Sequence, residues 1–281
     1  MGTGIRRVIV VVLDGLRPDA IDAFELSNVR TLMDAGAWSR DATTVGPSLT
    51  AAAMTSLMTG VSPARHGITS ETILIPRTNA GLSPLPDLLA ARGYPSSAFM
   101  GAVAPIFRGL ASRVAKRLGF GVSRFAGKGA EEILATARTT IKEQRRGLIV
   151  LHWPDADNAG HTHGWMSEPY RQGCVALDRA LGSLAVGADI VNDPSTLLIA
   201  LADHGGGGVV ANDHESDHPF DRTIPLLVSG QAVMRVQLLA PRLVDVPATA
   251  LWALGIPLPS SYEGRVLHEA FAVADAMTPV R

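Results

Sequence analysis

Three short apolar runs in this chain each stop on acidic or histidine residues. Val8–Leu13 runs into Asp14-Gly15, Leu148–Leu151 into His152 and then Asp155, Asp157 and His161, and Leu197–Leu201 into Ala202-Asp203-His204-Gly205. A continuous run of this kind, rich in Val, Ile and Leu, is what a parallel strand covered on both faces requires. Ile224–Val228 reads as a fourth strand, with Pro225 placing it at a strand start or a sheet edge. Helical patterns fall between the runs. Glu131 to Arg146 sets Ile133, Leu134, Ala137 and Ile141 on one stripe. Pro84–Arg92 and Asp245–Leu254 stop at Gly93 and Gly255, as helices do. This alternation predicts an α/β fold, a mostly parallel central sheet with helices on both faces. A single catalytic domain over residues 1–281 is expected, without a large cap domain and with 101–128 as a variable lid segment.

Composition narrows the function classes. Of the 281 residues 47% are apolar and 18% charged, enough for a large core and too apolar for a disordered chain. Lys and Arg number 25 against 26 Asp and Glu, so no global field favours a nucleic-acid polymer or an anionic membrane. The single cysteine, Cys174, excludes a disulfide framework and a CxxC zinc site. No apolar run approaches the roughly 18 residues of a membrane span. Only Arg6 and Arg7 precede Val8–Leu13, with no small-residue cleavage site, so the run reads as a buried strand rather than a secretory signal. A cytoplasmic location is expected.

In open α/β sheets ligands bind outside the carboxyl ends of the strands. Three distant segments therefore deliver Asp and His side chains to one sheet edge. Asp14 alone would be an ordinary turn residue, and Asp203-His204 alone a polar loop start. Clustered carboxylates, however, repel one another unless a cation neutralises them. Asp157 and His161, separated by a Gly-containing turn, can fold onto one ion. Asp with His and no Cys suits zinc or manganese, and less well magnesium or calcium. The candidate ligands outnumber the needs of one tetrahedral ion, so two divalent ions, roughly 3.5–4 Å apart, are expected. Thr50 precedes an alanine-rich stretch that stops at Gly60. Its hydroxyl either caps that helix or is a nucleophile where free N–H groups favour a phosphate-like anion. Arg108, Arg113, Lys116, Arg117, Arg124 and Lys128 form a basic stretch, either a solvated helix face or a lid holding an anionic leaving group.

Taken together these segments resemble the alkaline phosphatase superfamily, in particular its type I phosphodiesterase / nucleotide pyrophosphatase branch. The resemblance runs through nearly the whole chain. It is carried by Val10–Asp19, Pro47–Thr50 with Met58–Ile68, Pro154–Gly164 (PDADNAGHTHG), Asp203-His204-Gly205, residues 214–225 (HESDHPFDRTIP) and Asp245–Pro257. It implies a metal-dependent phosphoric ester hydrolase in which Thr50 is the nucleophile and passes through a covalent phosphothreonine. It further implies Asp157, His161 and His214 on one ion and Asp14, Thr50, Asp203 and His204 on the other. His218 competes with His214 and Asp155 with Asp157, and His66 and His163 read as supporting residues. Two departures stand out. Glu71 occupies a position where the branch has an asparagine that holds a phosphoryl oxygen. The lack of room for an inserted cap argues against a cofactor-independent phosphoglycerate mutase or a phosphopentomutase. No Cys/Ser-x-Pro-x-Arg segment, the mark of a sulfatase, occupies the Thr50 region. The expected substrate is a small-molecule phosphodiester or nucleotide pyrophosphate; a phosphomonoester, a phosphonate, or metal binding without turnover are the alternatives.

Overall fold

A computed structural model describes residues 3–70 and 81–271; Glu71 lies outside the described residues. Eight strands are described: β1 (Arg7–Leu13), β2 (Ala37–Thr43), β3 (Ser96–Met100), β4 (Val122–Phe125), β5 (Gly147–Trp153), β6 (Thr196–Leu201), β7 (Thr223–Ser229) and β8 (Val236–Gln237). They form one sheet in the order β4-β3-β5-β1-β6-β7-β2-β8. β7 runs antiparallel to β6 and β2; the other neighbours are parallel. Every residue of β1, β5 and β6 is buried. Successive strand side chains point to opposite faces, so both faces of these three strands are covered, as their unbroken apolar runs require. β4, at the sheet edge, is exposed or half-buried throughout.

Pro225 does not mark a sheet edge. It is the third residue of β7, which lies between β6 and β2. The β2 register shifts between Ser39, paired with Leu226, and Ala42, paired with Ile224. The missing N–H of Pro225 thus falls opposite a bulge, where the ladder is already broken. Its carbonyl still accepts from the Ala202 N–H at 3.2 Å.

At the opposite end of the sheet from the acidic strand ends, the fully buried Arg7 ties two helices to β1. Its guanidinium donates to the carbonyls of Ile141 (2.7 Å) and Gln144 (3.2 Å), at the end of the Ala130–Glu143 helix. It also reaches Ala188 O (3.0 Å), after the Glu168–Gly187 helix, and Thr196 Oγ1 (2.9 Å). These are carbonyls that a helix end leaves without partners. Segment 101–128 holds the Pro105–Arg117 helix and β4, with its six cations exposed. Among the described residues no helix is long and apolar enough to cross a membrane.

Candidate active site

The carboxyl ends of β1, β5 and β6, adjacent at the centre of the sheet, carry the acidic and histidine residues. Backbone bonds stitch these ends together. The Asp14 N–H donates to Trp153 O (3.0 Å), and the Asp157 N–H to Asp14 O (3.1 Å). Gly15 has φ +70°, and a Cβ there would stand 2.9 Å from the Asp157 Cα. Only glycine lets the segment carrying Asp157 come this close. The Gly15 carbonyl accepts from Trp165 Nε1 and from the Tyr170 hydroxyl, both at 2.9 Å, which fixes the turn.

The step from Asp157 to His161 is not a turn. Asp155–His163 is a helix, and its periodicity sets residues four apart on one face. Gly160 and Asn158 disfavour a helix by propensity. Tertiary packing overrides them: the Trp165 ring lies against Gly160, where a Cβ would meet it at 2.7 Å. Thr50 opens the Thr50–Thr59 helix, whose N-cap is Leu49 and has no side-chain cap bond. The Thr50 hydroxyl serves His204 instead, 2.9 Å from Nε2.

The structure brings all seven expected residues into one cluster. Two groups each offer ligand atoms within 4.8 Å of one another: Asp14, Asp203 and His204, and Asp157, His204 and His214. His204 Nε2 stands 3.3 Å from Asp14 Oδ1 and 3.6 Å from Asp203 Oδ2. His161 Nε2 lies 3.4 Å, and His214 Nε2 3.8 Å, from Asp157 Oδ1. The rings of His204 and His214 stack at 3.7 Å.

The chemistry of these donors fits divalent ions. Nδ1 of His204 donates to Gly205 O (3.0 Å), that of His214 to Ser48 O (2.6 Å) and that of His161 to Asn212 O (3.1 Å). A carbonyl can only accept, so in the neutral ring each Nε2 is left as a lone pair facing the cluster. Nε2 of His161 and Nε2 of His214 are 3.1 Å apart. Two lone pairs at that distance repel unless a cation lies against both. Burial, reinforced by His204, lowers the pKa of His214 and keeps it in the neutral, ligating form. Asp157 Oδ1 and Asp203 Oδ2 are buried with no hydrogen-bond partner, which is costly for a carboxylate without a counter-charge.

The competing residues lie elsewhere. Asp155 accepts from the Ala130 N–H (2.8 Å) at the start of the Ala130–Glu143 helix, and burial raises its pKa. His218 Nδ1 accepts from the Phe220 N–H (3.1 Å), capping the short Pro219–Arg222 helix. His66 is buried between Ser56 Oγ (2.9 Å) and the Ile68 N–H (3.1 Å), and burial takes its pKa down to about 4. His163 is exposed.

Two further residues belong to the site: His152, which the sequence marks as the end of an apolar run but not as a ligand, and Asp221, which it does not single out. His152 is buried, with Nε2 3.1 Å from Asp14 Oδ2 and 4.0 Å from Asp203 Oδ2. Burial lowers its pKa. It sits within β5, opposite Val12, so the strand continues through the histidine on which the apolar run stops in the sequence. Asp221 is buried and ties down the loop that carries His214. It accepts from the Gly208 N–H (2.9 Å), the Ser216 N–H (3.1 Å) and the Ser216 hydroxyl.

Residues 8–87 match the model of the type I phosphodiesterase / nucleotide pyrophosphatase family, and residues 121–258 that of the metalloenzyme superfamily. Murine ectonucleotide pyrophosphatase / phosphodiesterase 5, solved as an inactive threonine-to-alanine variant in complex with AMP, is similar in structure. The TM-score is 0.74 at 15% identity, covering 95% of this chain and 100% of that one. The phosphonate monoester hydrolase of Agrobacterium radiobacter gives a TM-score of 0.70 at 14% identity, covering 94% and 77%. A 2,3-bisphosphoglycerate-independent phosphoglycerate mutase of Gloeothece citriformis is 29% identical over 167 residues, 54% of this chain and 30% of the mutase. The matched stretch thus spans under a third of the length of the curated relatives.

Proposed function

We infer, for a chain that belongs to the alkaline phosphatase superfamily by its fold and by the two sequence models it matches, that it is a metal-dependent phosphoric ester hydrolase of the phosphodiesterase type. The observation that carries this reading is the placement of the Thr50 hydroxyl, 2.9 Å from a lone-pair imidazole nitrogen inside the carboxylate–histidine cluster. Asp157, His161 and His214 would hold one divalent ion, and Asp14, Asp203, His204 and Thr50 a second, zinc first and manganese second in preference. Bound there, the ions would polarise a phosphoryl oxygen and lower the pKa of a hydroxyl or a water.

The chain's own residues do the rest. The unpaired N–H groups of the first turn of the Thr50–Thr59 helix face a phosphoryl oxygen and hold it. Thr50 Oγ attacks phosphorus in line: the O–P bond forms, the ester bond opposite it breaks, and the leaving oxygen departs. Water then attacks the phosphothreonine, returning the Thr50 hydroxyl and releasing the phosphoryl group. The inactivity of the threonine-to-alanine variant of the similar murine protein supports a threonine, here Thr50, in this role.

Purified protein supplied with zinc or manganese should hydrolyse bis-p-nitrophenyl phosphate faster than p-nitrophenyl phosphate. Thr50→Ala should cost on the order of 10³-fold or more in kcat while elemental analysis still finds the bound metal. Retained turnover in that variant would point to another nucleophile. Metal binding with no turnover of either ester, or of a dinucleotide, would favour a binding protein.

A further inference from the structure

A cavity of about 420 Å³ opens directly beside Thr50, and of the described residues that line it only Thr50 and Thr55 are polar. Its walls come from the Thr50–Thr59 helix through Met54 and Met58, from the Pro105–Arg117 helix through Ala111 and Val114, and from Phe120 and Phe125 beside the sheet edge. The volume lies within the range of ordinary small-molecule sites. Met54, Val114 and Leu118 are only half-buried, so large apolar side chains stand around a space they do not fill. An adjoining cavity of about 490 Å³ shares Met100, Val103 and Phe125 but also carries Lys128, His152 and Asn158. Polar and apolar recognition are thus segregated on the two sides of one edge of the site.

We propose that the apolar cavity receives an uncharged alkyl or aryl group of the substrate, the group that stays on phosphorus when Thr50 attacks. This rests on the hydrolase reading above and names the substrate class within it: a phosphodiester with one apolar ester arm. In-line attack puts the leaving group opposite Thr50 Oγ. A group lying against the later turns of Thr50's own helix is therefore on the retained side. The intermediate is the alkyl phosphodiester of Thr50. Water cleaves its Thr50 O–P bond, restoring the hydroxyl and releasing an alkyl phosphomonoester. A nucleobase is a poor occupant, because its ring nitrogens and oxygens would meet only two hydroxyls, and each polar atom left unpaired weakens binding by roughly tenfold or more. The methionine walls suit a flexible chain, since thioethers adapt to varied shapes.

The test uses the metal-loaded full chain and two series. Turnover is read as kcat/KM for methyl, butyl and octyl p-nitrophenyl phosphate below micelle-forming concentrations, with the thymidine 5′ p-nitrophenyl ester beside them. Binding is read by calorimetry with methyl-, butyl- and octylphosphonate. Each buried CH2 is worth about fourfold, so both series should rise by at least about a hundredfold from methyl to octyl. Ala111→Phe, which fills the cavity from the far helix, should flatten both rises. Equal values along both series, or a thymidine ester preferred over the octyl ester, overturns the assignment. Phosphonate affinity that climbs with chain length while no ester is turned over overturns the hydrolase reading and leaves the cavity assigned.

Discussion

His66 shows how much one buried side chain can decide. Its Nδ1 accepts from the Ile68 N–H, so the neutral ring donates from Nε2 to Ser56 Oγ. Burial sets its pKa to about 4 in the fold, against about 6.5 in an unfolded chain. Between these values the unfolded chain binds one more proton. The stability His66 confers is therefore complete above pH 6.5 and drains away as pH falls towards 4, by up to about 1.4 kcal/mol per unit. Urea midpoints measured from pH 7 to 4.5 should fall less steeply in His66→Gln than in the parent; parallel curves would remove His66 from the account. The same scale shows where sequence reading stops. Asp155 and Asp157 are equivalent as letters, and so are His214 and His218. The four-residue step to His161 favours Asp157, but what holds Asp155 and His218 aside, the Ala130 N–H and the loop around Asp221, leaves no local signature.

At the scale of elements, the strands buried on both faces were plain in the sequence because only an unbroken apolar run survives there. β2 (AWSRDAT) and β4 (VSRF) were not. Partly exposed strands need few apolar residues and so carry no distinct pattern. The Asp155–His163 helix was hidden for the opposite reason: its own residues argue against it, and Trp165 supplies what they lack. Arg7 was visible only as part of a basic start, yet it joins two helix ends to the sheet. Arg7→Met strands several buried carbonyls and should cost about 2–4 kcal/mol of unfolding free energy. Arg7→Lys should recover only part, since one ammonium cannot span the same partners. Chemical denaturation of the two variants checks this; a loss under 1 kcal/mol in Arg7→Met would show that the clamp is not structural.

Across the whole molecule, the site lies where the central strands end, and that convergence was legible because strand ends are where charge interrupts apolar runs. The apolar cavity was not, since its walls are drawn from two helices and the sheet edge with no common motif. A metal centre that gathers this many segments must couple ion binding to folding. Ligand at 100 times its dissociation constant adds about 2.7 kcal/mol, which at about 2–4 °C per kcal/mol raises Tm by several degrees. Thermal scans with zinc and with a chelator should differ by that amount, and an unchanged Tm would argue against a metal centre. The two donor groups differ sharply in their access to water. The side chains of His204 and Asp203 are 0% and 1% exposed, whereas that of His161 is 44% exposed. On the two-ion reading proposed above, exchange with the medium would begin at the His161 position: the outer ion would be the labile one, and the inner ion the last to leave.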